Sequence, residues 1–153
     1  MALLKIKSDI EIPISELNDF FAHAETVVLD KSKELRLTMA CLLAGGHLLI
    51  EDIPGVGKTT LVKTISRLMW LTTNRIQFTN DLLPGDIIGS SIYDPEIKKF
   101  VFHKGPIFAE FVLADELKRA TPKTQSAFLQ AMEEHHVSVD GQTQKLPETF
   151  FII

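Results

Sequence analysis

Residues 51–60 read EDIPGVGKTT, one glycine short of the phosphate-binding loop pattern G-x-x-x-x-G-K-[ST]. Counting back from Gly57-Lys58-Thr59, the position of the first glycine holds Asp52. The remainder of the stretch keeps the chemistry the pattern needs. Gly55 and Gly57 let the backbone fold into a nest of N–H groups, and a helix starting here directs its positive N-terminal end at the same point. Lys58 is spaced to reach the β- and γ-phosphates of a nucleotide, and the Thr59 hydroxyl to ligate Mg2+. Pro54, Val56 and Thr60 complete the expected cofactor-binding stretch. The competing reading is a glycine-proline turn that only joins a strand to a helix.

The flanking sequence supports the phosphate loop. Upstream, HLLIE (47–51) is a short apolar run, as expected of a strand covered on both faces. Downstream, between Thr59 and Trp70, residues Leu61, Val62, Ile65, Leu68 and Met69 share one helical face. Strand, turn and helix therefore come in the required order. A second half of the site lies in FVLADE (111–116), where four apolar residues bring Asp115 to the end of a buried strand. Hydrolysis needs a carboxylate near the metal and another that activates water. Asp115 suits the first role, holding Mg2+ through water, and Glu116 the second. Glu116 and Lys58 are thus the expected catalytic residues, with Thr59 and Asp115 at the metal.

Elsewhere the local signals are clear. ISELNDFFAHAE (14–25) predicts a short helix, and Ser32 to Ala44 a longer one with Leu35, Met39 and Leu42 at helical spacing, stopped by Gly45-Gly46. RIQFT (75–79) alternates like a strand, and SSIYDPEIKKFVFHKG (90–105) predicts an excursion with a hairpin. Thr121-Pro122 offers an N-cap and first helical residue for a helix through Glu134. In HHVSVDGQTQKL (135–146), Asp140-Gly141 between alternating residues is a strong hairpin signal. The expected architecture is a three-layer α/β/α sandwich. Its parallel central sheet aligns strands near Leu48, Ile76, Val112 and Phe151, with Lys58 and Asp115 close together beyond their carboxyl ends.

Composition bounds the function. The 153 residues are 45% hydrophobic, enough for one core and too few for a second full domain. Sixteen Lys and Arg against twenty Asp and Glu leave a net charge of −4. Nothing global favours nucleic acid or an anionic membrane, so an anion must be bound locally. The single Cys41 sits on an apolar helix face and predicts a buried thiol, not a redox centre. MALLKIKSDIEIP carries no long apolar run or cleavage site, so a cytoplasmic location is expected. His135 and His136 are adjacent and diverge on either a helix or a strand, which makes poor zinc geometry, even with His103 elsewhere in the chain.

Three longer stretches carry a family resemblance: LLAGGHLLIEDIPGVGKTTL, RIQFTNDLLPGDIIG and GPIFAEFVLADELKRATPKTQSAFLQAMEEHHVSVDG. Together they resemble the successive signatures of the MoxR-type AAA+ ATPases, from about Val27 onward. The resemblance divides the chain into an N-terminal segment with a short helix (1–26) and an AAA+ ATPase core (27–153). It implies a P-loop NTPase fold that binds ATP and Mg2+, with Val28 and Leu29 packing on the adenine. Ser90 to Lys104 would carry the helix-2 insert, and His136 to Leu146 the hairpin before the sensor-1 strand. It also implies self-association into a ring, usually a hexamer, and a chaperone-like role in maturing client proteins or inserting their metals. Asp30-Lys31 and Leu117-Lys118 stand where the family has Gly-Gln and Ile-Asn; Glu-Asp before the Pro-Gly turn is a family variant.

TFFII runs into Ile153 as an apolar strand without a cap. The expectation is a chain cut before sensor 1, with the arginine finger and helical lid beyond. Two functional classes remain open: an ATPase module that remodels a protein client, or a nucleotide-binding fragment or regulatory domain without turnover of its own. A GTPase or small-molecule kinase is disfavoured, since no Asn-Lys-x-Asp stretch is present.

Overall fold

The computed structural model describes residues 3–5, 11–51 and 58–153, with side chains from Ile14 onward except that of Lys58. Its strands are β1 (Leu3–Lys5), β2 (Glu11–Pro13), β3 (Thr73–Gln77), β4 (Gly89–Asp94), β5 (Lys99–Lys104), β6 (Phe111–Asp115), β7 (His136–Val139), β8 (Gln142–Lys145) and β9 (Phe151–Ile152). The helices are α1 (Ile14–Val27), α2 (Ser32–Leu43), α3 (Lys58–Leu68), α4 (Pro84–Ile88) and α5 (Pro122–Glu134). The chain is an α/β protein made of two compact units, Met1–Thr72 with Phe151–Ile153, and Thr73–Phe150.

In the first unit, β1 and β2 form an antiparallel pair, and α1, α2 and α3 supply most of the core. Phe21, Ala24 and Val28 are buried from the α1 side, Leu35, Thr38, Met39 and Leu42 from α2, and Leu61, Val62 and Ile65 from α3. These are the apolar positions that helical spacing selects. The Thr38 hydroxyl donates to the Glu34 carbonyl at 2.7 Å, so this buried polar group is satisfied within its own helix. Two helix ends have visible causes. Gly45 takes a φ of 68°, and Gly46 N–H returns to the Cys41 carbonyl, closing α2 where the glycine pair predicts a stop. α3 stops two residues short of Trp70, whose own left-handed φ of 57° lets Leu71 N–H bond the Ser66 carbonyl.

HLLIE is not a strand, which corrects the sequence expectation. Leu48 N–H donates to the Ile152 carbonyl at 2.9 Å, as a ladder would require. Ile152 N–H, however, is taken at 3.2 Å by the His47 imidazole Nδ1 in place of a backbone carbonyl, which breaks the regular pattern. Leu49 is 80% exposed, so the run is not covered on both faces either. Cys41 is half-buried, not fully buried; its thiol donates to the His47 carbonyl at 3.2 Å, and burial raises its pKa.

In the second unit, β3 and β6 pair in parallel with Arg75 opposite Leu113, Ile76 opposite Ala114 and Gln77 opposite Asp115. Ile76 and Phe111–Leu113 are buried. The two expected strands around Ile76 and Val112 thus lie side by side. Phe78, just past β3, meets Phe128 of α5 edge-to-face at 5.1 Å between ring centroids, both rings fully buried. α5 begins as expected: the Thr121 hydroxyl accepts from Thr124 N–H at 3.3 Å, and Pro122 opens the helix.

Both expected hairpins form. β4 and β5 pair from Gly89 opposite Lys104 to Asp94 opposite Lys99, and the Asp94 carboxylate accepts from Glu96 N–H and Ile97 N–H to shape the turn. At its base, a side chain on Gly105 would collide with the Ile87 carbonyl and the Gly89 nitrogen. β7 and β8 close around Asp140 and Gly141, with φ of 51° and 76°, as a two-residue primed turn requires. The short helix α4 escapes periodicity analysis; Asp86 caps it by accepting from Leu83 N–H at 2.8 Å. His135 lies 5.9 Å from Phe150 between ring centroids, whereas His136 engages Glu134.

Candidate nucleotide and metal site

Asp52, Pro54, Gly55, Val56 and Gly57, and the side chain of Lys58, lie outside the described residues. α3 starts at Lys58, directly after Gly57 in sequence, and runs for 11 residues, so its unpaired N-terminal N–H groups and positive dipole end lie at the start of that helix. Thr59 is half-buried in the first turn of the helix and Thr60 is exposed. Thr60 also lines a cavity of about 300 Å3 with His23, Val27, Lys63, Thr64, Arg67 and Leu68. Of the two residues expected at the adenine, Val28 is buried and continues the α1 hydrogen bonding through its N–H to Ala24, while Leu29 is 72% exposed.

The second unit presents the carboxylates. β6 is buried from Phe111 to Leu113 and emerges at Asp115, which is half-buried. The Asp115 carbonyl accepts from Phe78 N–H at 2.9 Å, fixing the backbone where the strand ends. Its side-chain Oδ2 accepts from Arg75 Nη2 at 2.7 Å, and the same nitrogen donates to Gln77 Oε1 at 2.8 Å. Register explains this arrangement. Residues two apart share a face, and Gln77 stands opposite Asp115, so Arg75 reaches one step along its own face to the carboxylate.

Glu116 turns sharply, with φ 59° and ψ 36° in the left-handed region. For a residue with a β-carbon that costs about 1–2 kcal/mol, and Asp30, Trp70, Lys98, His135 and Asp140 share the conformation. The turn is held from behind. Arg119 N–H donates to the Glu116 carbonyl at 2.8 Å, and the Gln125 side-chain amide donates to the carbonyls of Leu117 and Ala120. The Glu116 carboxylate is exposed, with Lys118 Nζ 3.8 Å away, a loose surface pair.

Arg75 and Gln125 are absent from the sequence-based site. Arg75 reads as a solvated charge in an alternating strand, and only the register of β3 on β6 brings it to Asp115. Gln125 reads as an ordinary helix residue; its signal is its place one turn after the Thr121-Pro122 cap.

The donor set fits a magnesium nucleotide. Mg2+ is commonly held by one or two carboxylates with substrate phosphates, not by a cage of protein ligands. Among the described residues no three His, Cys, Asp or Glu side chains group into such a cage. Asp115 at the end of β6 offers one such carboxylate, with Arg75 Nη2 2.7 Å from its Oδ2.

Comparison with known proteins identifies the family. Residues 47–153 match the model of the ATPase family associated with various cellular activities (AAA). An uncharacterized protein of Bacillus subtilis, YeaC, is 48% identical over 131 residues, covering 86% of this chain and 41% of that protein. The chaperone MoxR1 of Mycobacterium tuberculosis is 42% identical over 131 residues, 86% of this chain and 35% of its own length. A crystal structure of an inferred ATPase from Cytophaga hutchinsonii superposes with a TM-score of 0.74 at 41% identity, covering 91% of this chain and 41% of that one. The chain therefore spans well under half the length of these relatives. From the family match, these relatives and the strand-end carboxylates, the chain belongs to the MoxR-type AAA+ ATPases.

Proposed function

We propose that this chain is the nucleotide-binding part of an ATP-hydrolysing protein remodeller. The observation that carries the reading is the Asp115-Glu116 pair: one carboxylate fixed at a strand end with a cation on it, the next on a strained left-handed turn. A strained backbone persists only where its surroundings determine it, and Gln125 supplies that constraint.

In this reading the backbone N–H groups of 55–60 and the N-terminus of α3 bind the phosphates, and Lys58 neutralises their charge. Thr59 and Asp115 hold Mg2+. When bound, the metal neutralises phosphate charge and orients the phosphates for in-line attack. Glu116 orients the attacking water and accepts its proton. Val28 and Leu29 form the adenine side.

MoxR1 is named a chaperone. By that likeness, the full-length protein would assemble into a ring, take ATP and Mg2+ as cofactors, and use turnover to help client proteins mature or accept metals, in the cytoplasm. No helix among the described residues is long and apolar enough to cross a membrane. These 153 residues alone are expected to bind nucleotide weakly and hydrolyse it negligibly, because an arginine from a neighbouring subunit contributes on the order of 10³-fold or more to such reactions.

Calorimetric titration of the full-length protein with ATP and Mg2+ tests the binding half. Lys58→Ala should lose nearly all affinity, and GTP should compete poorly. Unchanged affinity in Lys58→Ala would remove the phosphate loop from the account. Tight binding without any turnover would favour the alternative, a regulatory nucleotide-binding domain.

A further inference from the structure

Arg75 sits against the carboxylate at the end of β6. Its Nη2 lies 2.7 Å from Asp115 Oδ2 and 2.8 Å from Gln77 Oε1, so one guanidinium nitrogen bridges two acceptors. Both acceptors lie on the face that Arg75 shares through the β3–β6 register. The pair is open to water, with Arg75 55% and Asp115 38% exposed at the side chain. Open pairs of this kind are weak and exchange easily. The contact therefore neutralises the carboxylate without locking it.

We infer that Arg75 is a built-in counter-ion that holds Asp115 in place of the metal and must yield Oδ2 when a Mg2+-nucleotide arrives. This rests on the reading of Asp115 as a metal-holding residue. The consequence is selectivity for the complex over the free ion. A solvated dication meets a carboxylate already neutralised and a guanidinium that repels it. A Mg2+ carried by nucleotide phosphates would arrive with its charge already offset, so the guanidinium would oppose it less. Arg75 is thus a positioning residue. It raises the Mg2+ concentration needed to complete the site and ties metal entry to nucleotide entry.

The test is the Mg2+ dependence of binding a non-hydrolysable ATP analogue to the full-length protein, read by calorimetry across a Mg2+ series at fixed ionic strength. Arg75→Gln should lower the half-saturating Mg2+ concentration by about two- to fivefold, the scale of an exposed ion pair. Metal-free affinity for the analogue should change less than about twofold. Arg75→Lys, which keeps the charge, should stay within about twofold of wild type, and a shift as large as that of Arg75→Gln would contradict the counter-ion role. In Asp115→Asn the Mg2+ requirement should rise, and adding Arg75→Gln to it should change nothing more, since the arginine acts through that carboxylate. An unchanged or raised Mg2+ requirement in Arg75→Gln, with Asp115→Asn behaving as expected, overturns the inference alone. If Asp115→Asn leaves the Mg2+ dependence untouched, Asp115 does not hold the metal, and both readings fall.

Discussion

The side-chain amide of Gln125 donates to the carbonyl of Ala120 at 2.9 Å and to that of Leu117 at 3.3 Å. One side chain of α5 thereby pins the turn after Glu116, and the left-handed backbone of Glu116 is kept by a group outside the strand that carries it. Gln125→Leu removes both bonds with little change in volume. Turnover of the full-length protein is expected to fall about tenfold, because a misplaced catalytic group costs rate steeply. Nucleotide affinity should stay within about threefold. Measuring kcat and binding separately checks this; equal losses in both would mean that the turn supports the whole site and not the glutamate.

Phe78 and Phe128 join the end of β3 to α5 through a fully buried edge-to-face contact. Phe128→Ala should destabilise the fold by about 3–5 kcal/mol, a large share of the roughly 5–15 kcal/mol typical of a domain. Urea unfolding followed by circular dichroism would show it. A loss below about 1 kcal/mol would contradict the packing described.

The Thr121 cap has a smaller expected effect. Its hydroxyl takes Thr124 N–H, and the Thr124 hydroxyl in turn donates to the Leu82 carbonyl at 2.8 Å. Thr121→Ala should cost about 0.5–2 kcal/mol, and Thr121→Ser clearly less. The same unfolding measurement decides it, with equal losses in the two variants arguing against a capping role.

The sequence was most legible where structure is local. Asp140-Gly141 and Thr121-Pro122 act through the conformations of adjacent residues, and both form as their chemistry dictates. Apolar spacing likewise identified Leu35, Met39 and Leu42 as a buried face. HLLIE failed for a non-local reason: the His47 imidazole captures an N–H that a strand would leave to the backbone, across 105 residues of sequence. The Arg75 contact was equally hidden, since it spans 40 residues and depends on strand register. Motif spacing puts Asp115 at the end of a strand with Glu116 next, as the fold does, whereas the groups that hold them in place emerge only from the fold.

Water activation by Glu116 is the claim on which the functional account turns, and Glu116→Gln in the full-length protein tests it most directly. The amide keeps size and hydrogen bonding but cannot take a proton at neutral pH, so ATP affinity should remain within about threefold while steady-state hydrolysis falls at least 10²-fold, the lower range for general-base catalysis. Hydrolysis by Glu116→Gln at the wild-type rate, with ATP bound equally well, would contradict the account.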